Sequence, residues 1–177
     1  MKFIKSHVAY KGRRVILEEA SYMDKNNKIT VMEHVKVNPA VVILAKTTDD
    51  KFIFIKEKRT AVGNIELLEM PAGVVEDNED PREAAIRELK EETGYVTKDV
   101  EFLTEYYPSC GYTNEKIFVY LAKDLKEKQE QELDETEEIK VIEVNKEDAY
   151  KLLKEGKIYN AATQIALMWF KLFKEGL

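Results

Sequence analysis

Cysteine is almost absent from this chain of 177 residues: Cys110 stands alone. An internal disulfide framework is thereby excluded. Histidine is nearly as scarce, with only His7 and His34, both far from Cys110 in sequence. Neither a His/Cys zinc site nor a Cys–His or Ser–His triad is expected. No apolar run reaches the ~18 residues of a membrane span, so no membrane partner is expected. The opening MKFIKSHVAYKGRRV is too polar, too soon, for a secretory signal. The chain reads as cytoplasmic. Positive charge is also in deficit, with 28 Lys and Arg against 34 Asp and Glu and a net charge of -6. Bulk electrostatics argue against a nucleic-acid partner. A small anionic substrate stays open, because bound metal ions invert local charge.

What is present is a globular composition. Apolar residues make up 44% and charged residues 35% of the chain, the latter against about 25% in an ordinary domain. The excess is Lys and Glu, a pattern shared with heat-adapted proteins. The length suits one substantial core with a small appended unit.

Residues 1–37 are expected to form a small antiparallel sheet. FIKSHVAY, RVILEEASYM and KITVMEHV are β-rich runs separated by the turn sequences KGR and DKNN. The main domain is expected over residues 38–177. AVVILAK and KFIFIKEKR flank a second hairpin at TTDD, and AVVIL suits a strand buried on both faces. IELLEMPAGVV reads as extended and broken by Pro71 and Gly73. A helix then starts with Asp80 at its N-cap, Pro81 at N1 and Glu83 in the first turn, and stops at Gly94. KDVEFLTEYY, EKIFVYLAK and IKVIEV read as strands, around the loop PSCGYTN and an acidic run LKEKQEQELDETEE. Two helices close the chain, NKEDAYKLLKEG, capped by Asn145 and closed by Gly156, and NAATQIALMWFKLFKEG, with Trp169 and Phe170 expected in the core. The expected fold class is α/β: an α/β/α sandwich on a mixed sheet.

One segment of the first helix needs its own explanation. RELKEETGY packs Glu88, Glu91 and Glu92 close together. At ~100° per residue, Glu92 lies ~40° from Glu88 and Glu91 ~60° to the other side. That acidic face borders the apolar stripe of Ala85, Ile86 and Leu89 instead of opposing it. A face that only solvates the helix belongs on the far side. Carboxylates at i and i+4 suit a hard cation such as magnesium or manganese. A Glu-rich surface helix paired with Arg87 and Lys90 is the other reading at this point.

The flanking residues bear on that choice. GVVEDNEDPREAAIRELKEETGY fits G-x5-E-x7-R-E-U-x-E-E-x-G-U, where U is apolar and Tyr95 takes the place of the usual last aliphatic residue. It resembles the box of the Nudix hydrolases. The resemblance implies hydrolysis of a diphosphate in a nucleoside derivative, dependent on Mg2+ or Mn2+. It implies Glu88 and Glu92 as main metal ligands, Glu91 as an accessory one and the carbonyl of Ala72 as another oxygen donor. Gly73 would allow close backbone approach. Arg87 and Glu79 would hold loop and helix together.

The rest of the chain bears on the substrate. PSCGYTNE resembles the PSPGxxxE loop of the ADP-ribose pyrophosphatase branch, with Cys110 at the second proline. Ser109, Gly111 and Glu115 would then contact substrate; the alternative is a tight turn with Gly111 at positive φ. IKEKRTAVG resembles the segment whose arginine, here Arg59, meets the diphosphate; a surface arginine at a strand end is the alternative. In LDETEEIKV the resemblance implies Glu135 as catalytic base and Glu137 as a further metal ligand, with Glu138 a rival for either role. A solvated loop is the alternative there. The N-terminal sheet would contribute to a homodimer. The implied reaction converts ADP-ribose to AMP and ribose 5-phosphate. Other nucleotide sugars, dinucleoside polyphosphates, NADH or an oxidised nucleotide remain possible substrates, and a catalytically silent ADP-ribose-binding module is the rival of another class.

Overall fold

Short turns with the right local chemistry set up the first strands. In the computed structural model, which describes residues 1–133 and 138–176, Asp24 Oδ1 accepts from the backbone N–H of Asn26 and Lys28 at 2.8 and 2.9 Å. Asn27 adopts φ 59°, a conformation asparagine tolerates. Strands β1 (Lys2–Lys11), β2 (Ile16–Met23) and β3 (Ile29–Lys36) form an antiparallel sheet in the order β1-β2-β3. All ten residues of β1 are exposed, with Phe3, Val8 and Tyr10 more than half so. Segment Tyr106–Lys116 belongs to the same compact unit, together with Met1–Pro39. Asn114 ties this segment down by acting as a peptide mimic. Its Oδ1 accepts from Val37 N at 2.9 Å and its Nδ2 donates to Val37 O.

The second unit comprises Ala40–Glu105 and Ile117–Leu177. Its mixed sheet contains β4 (Ala40–Thr47), β5 (Lys51–Arg59), β8 (Glu101–Tyr106), β9 (Ile117–Leu125) and β10 (Lys140–Asn145), in the order β10-β5-β4-β9-β8. β4 runs parallel to β9 and antiparallel to β5. Residues Val41 to Ala45 are at most 2% exposed, as the unbroken apolar run demanded. β4 and β5 pair directly only at Ala45–Ile53 and Lys46–Phe52. Beyond that point they part, and β6 (Ile65–Glu69) pairs with β5 while β7 (Ala72–Val74) pairs with β4. The chain crosses the gap at Met70–Pro71. The break in the extended run therefore falls there, and Gly73 lies inside β7.

Alternation along β5 sends side chains to two layers. Ile53 joins Val41, Ile43, Ala85 and Leu89 in the core under helix α1 (Pro81–Thr93). Phe52 points the other way, edge-to-face with Tyr150 and Phe170 of helices α2 (Lys146–Lys154) and α3 (Ala161–Phe170). This is an α/β/α sandwich on a mixed sheet. The α1 boundaries follow local chemistry: Asp80 accepts from Arg82 N, and Gly94 at φ 75° ends the helix.

Three local expectations need correction. The side chain of Asn145 does not cap α2; its amide donates to Asp148 Oδ2 at 3.3 Å. The last helix is α only to Phe170 and continues as a π-helical turn over Lys171–Glu175. Phe170 is buried, but Trp169 is only half-buried and packs against Phe173, ring centroids 5.0 Å apart. No helix among the described residues is long and apolar enough to cross a membrane.

Candidate active site

The box residues meet where β7 passes the middle of α1. A β-carbon on Gly73 would overlap the Glu88 carboxylate, so only glycine allows the strand and that side chain to approach so closely. Gly73 pairs with Val41 and Ala72 with Val42 in the centre of the sheet. One turn along the helix from Glu88, the nearly buried Glu92 accepts from Ala72 N at 2.9 Å. Glu88, Glu92 and Ala72 are therefore assembled by backbone pairing on one side and helix spacing on the other.

The crowding of carboxylates is relieved by Arg87. Its Nε and Nη2 meet both oxygens of Glu79 at 2.8 and 2.9 Å. Its Nη1 reaches Glu88 at 2.8 Å and Glu91 at 3.0 Å, and Nη2 also donates to Val74 O. The hydrogen bonds to Glu79 do most to raise the guanidinium far above its ordinary pKa; burial opposes them and Glu88 and Glu91 add to them. In return Arg87 lowers the pKa of Glu79. Loop and helix are thus clamped by this pair.

Glu88, Glu91, Glu92 and the Ala72 carbonyl are an all-oxygen donor set, the chemistry that suits a hard divalent ion. Among the described residues, no three His, Cys, Asp or Glu side chains are gathered so as to hold an ion. Glu88 and Glu91 are both ion-paired with the Arg87 guanidinium, at 2.8 and 3.0 Å.

Arg59 ends β5 and is held by Glu69, at 2.6 Å from Nη2 with longer contacts from Nε, and by Glu57 at 2.9 Å. Burial pulls its pKa down, but Glu69, Glu57 and Glu92 together raise it. Ser109, Gly111 and Glu115 lie in the first unit. Ser109 O accepts from Tyr112 N and Thr113 N, and Thr113 Oγ1 accepts from Glu115 N. Gly111 lies in a tight turn, as the alternative reading expects, but not at positive φ. Glu135 and Glu137 lie outside the described residues, while Glu138 is exposed.

Several residues at this site carried no sequence signal. Glu69 looked like part of a strand. Residues 127–132 read only as part of an acidic run, yet they bond to the last turn of α1. Gln129 N donates to Gly94 O at 2.8 Å, Glu132 N to Glu91 O at 2.9 Å, and the Gln131 amide to Glu92 O. Lys90 pairs with Glu132 at 2.6 Å. Thr163 on α3 accepts from Met70 N at 2.8 Å, fixing the crossing that leads into Ala72. These partners lie 39 and 93 residues apart for Gln131–Glu92 and Thr163–Met70, beyond any local pattern.

A strand edge and a helix that bring Glu88 to Gly73 and Glu92 to Ala72 have the layout of a Nudix box, and the NUDIX domain family model matches residues 36–163. The chain belongs to the Nudix family. It is 37% identical over 177 residues to the ADP-ribose pyrophosphatase of Bacillus subtilis (strain 168), covering 99% of this chain and 95% of that one. It is 35% identical over 172 residues to the methanol dehydrogenase activator of Bacillus methanolicus, covering 97% and 92%. A crystal structure of an ADP compounds hydrolase superposes with a TM-score of 0.86 at 24% identity, covering 99% of this chain and 95% of that one, and so supports the fold. Nudix hydrolases generally use divalent metal ions, and the donor set around Gly73 suits one.

Proposed function

We propose that this chain is a Nudix pyrophosphohydrolase that cleaves ADP-ribose to AMP and ribose 5-phosphate. The observation that carries this reading is the intact set of Glu88, Glu92 and Ala72 assembled around Gly73. Near-full-length similarity to an ADP-ribose pyrophosphatase supports the substrate. Glu88, Glu92 and the Ala72 carbonyl, with Glu91 and Glu137, would hold Mg2+ or Mn2+. Bound there, such ions neutralise the diphosphate charge. Glu135 accepts the proton of the attacking water as its oxygen bonds to phosphorus and the bridging P–O bond breaks. Arg59 meets the diphosphate, and Ser109, Gly111 and Glu115 hold the ribose end.

The same proposal gives residues 1–37 to a dimerisation sheet and 38–177 to the Nudix domain. Exposed Phe3, Val8 and Tyr10 on β1 support a homodimer. A cytoplasmic location fits the single cysteine. Cys110, in place of the branch proline, favours a second reading: another nucleoside diphosphate derivative, such as a nucleotide sugar, a dinucleoside polyphosphate or NADH. A silent ADP-ribose-binding module is disfavoured because every box carboxylate is kept.

The test is a metal-dependent hydrolysis panel with ADP-ribose beside these compounds and product identification. Faster turnover of another compound overturns the ADP-ribose assignment. Binding of ADP-ribose without metal-dependent release of AMP supports the silent module. Comparing Glu135→Gln, Glu137→Gln and Glu138→Gln over pH assigns the base; a loss confined to Glu138→Gln moves that role to Glu138.

A further inference from the structure

Arg59 is surrounded by more acid than a simple phosphate hook needs. Glu69 is 1% exposed, and a carboxylate buried that deeply is costly unless it is paired. Both of its oxygens are met by Arg59, from Nε at 3.3 and 3.2 Å and from Nη2 at 2.6 Å. The strand register explains how they meet. On the antiparallel β5–β6 pair, Arg59 faces Ile65, Glu57 faces Leu67 and Ile55 faces Glu69. Every second rung points to one face, so Arg59, Glu57 and Glu69 share a face. The Arg59 side chain runs back over the Glu57–Leu67 rung to reach Glu69. Glu57 then meets Nη1 at 2.9 Å. The guanidinium is thus pinned along its Nε–Nη2 edge and at one corner.

A guanidinium has five N–H donors in a fixed fork. Glu69 accepts from Nε and from Nη2, and Glu57 is ion-paired with Nη1. The end of the fork is formed by one N–H on Nη1 and one on Nη2, on the side away from Nε. Two parallel donors of this kind match two oxygens of a phosphate. The charge of Glu92 also favours the charged form of Arg59.

We propose that Glu69 is a positioning residue for the substrate diphosphate, its buried carboxylate locking the Arg59 guanidinium so that the end of its fork is presented ready-made. This rests on the reading that Arg59 meets the diphosphate. Glu57 and Glu69 oppose the attraction of Arg59 for phosphate by neutralising its charge. They favour it by holding the side chain in its binding geometry before substrate arrives. The proposal is that the second effect dominates.

The experiment measures calorimetric Kd for α,β-methylene ADP-ribose, which cannot be cleaved at the bridge, with magnesium present. It is paired with steady-state kinetics on ADP-ribose. Arg59→Ala and Glu69→Gln are each expected to weaken analogue binding about tenfold. Glu69→Gln is expected to raise KM more than it lowers kcat. The double variant is expected to be no weaker than Arg59→Ala, because both changes remove one coupled element. Glu69→Gln binding as tightly as the wild type, or more tightly, overturns the proposal. Losses that add in full overturn it too. Should Glu69→Gln not fold, Arg59→Lys carries the test from the more exposed partner. A lysine keeps the charge and loses the fork, so binding like the wild type overturns the proposal and binding like Arg59→Ala supports it. Inorganic pyrophosphate with magnesium is titrated beside the analogue. If the wild type binds pyrophosphate but neither binds the analogue nor cleaves ADP-ribose, the substrate reading fails, and the Arg59–Glu69 comparison is decided on pyrophosphate.

Discussion

The Glu88 carboxylate lies in the space that a β-carbon on Gly73 would occupy. Gly73→Ala therefore has to move either the central helix glutamate or the β7 strand that presents Ala72. Forcing a methyl group into a packed site costs about 1–3 kcal/mol. Displacing a catalytic group by roughly an ångström costs about 100-fold in rate. The expected outcome is a folded protein with a lower melting temperature and activity reduced by about that factor. Near-wild-type turnover of ADP-ribose by Gly73→Ala would remove Glu88 from the metal site.

Magnesium should stabilise the protein, and weakly for a reason visible in the site. Arg87 already balances Glu88 and Glu91 at 2.8 and 3.0 Å, so an ion must compete with it. A site filled at ten times Kd adds about 1.4 kcal/mol, or roughly 3–6 °C in a chain of this size. A thermal scan against millimolar magnesium should show that rise, and Glu88→Gln should blunt it. Melting indifferent to magnesium, with and without a substrate analogue, would return α1 to an acidic surface helix.

Much of this was legible because it is local. Asp80, Pro81 and Gly94 each act within a turn of where they stand, so α1 could be bounded from sequence. The run Val41–Ala45 declared a doubly covered strand by its lack of polar residues. Gly73 and Glu88 sit within one motif whose spacing encodes their contact. Legibility failed where a partner came from afar or where geometry was collective. The gap between β4 and β5, which β6 and β7 fill, depends on how two strands diverge. Glu69 carries no mark of its burial, because the residue that makes burial tolerable is Arg59, on the neighbouring strand. Trp169 was expected inside from its chemistry, but its position on α3 leaves it only half-buried, against Phe173.

Thr163 shows how a distant helix reaches the site. Its hydroxyl is fully buried and accepts from Met70 N at 2.8 Å, while Ile43 N donates to Pro71 O. Thr163→Val keeps the shape and leaves a buried N–H without its acceptor, at a cost of about 1–3 kcal/mol. The expected result is a drop in melting temperature, with a reduced kcat because Ala72 follows this crossing directly. Thr163→Ser should recover most of both. A valine variant as stable and active as the wild type would show that the bond holds nothing in place.

Tyr95, the position where the box departs from its usual aliphatic residue, ties the end of α1 to the strand that follows residues 134–137. Its hydroxyl donates to Glu143 Oε1 on β10 at 2.6 Å. Burial, then Glu143, pushes its pKa up to about 12, and the same bond lowers that of Glu143. The signs follow. The fold favours neutral Tyr95, so its contribution is complete below its ordinary pKa near 10 and is lost as pH rises from there through about 12. The fold favours charged Glu143, so that contribution is complete above 4.5 and is lost as pH falls further. Tyr95→Phe keeps the ring and the Lys128 contact at 5.1 Å and removes only the hydroxyl. At neutral pH it should cost about 1–2 kcal/mol. Tyr106 and Tyr150 are raised as well, so both proteins will lose stability in alkali. The informative quantity is their difference, which should be flat to about pH 10 and shrink toward zero by about pH 12. A difference that stays constant through that range would mean that the hydroxyl contributes packing alone and that Glu143 does not depend on it.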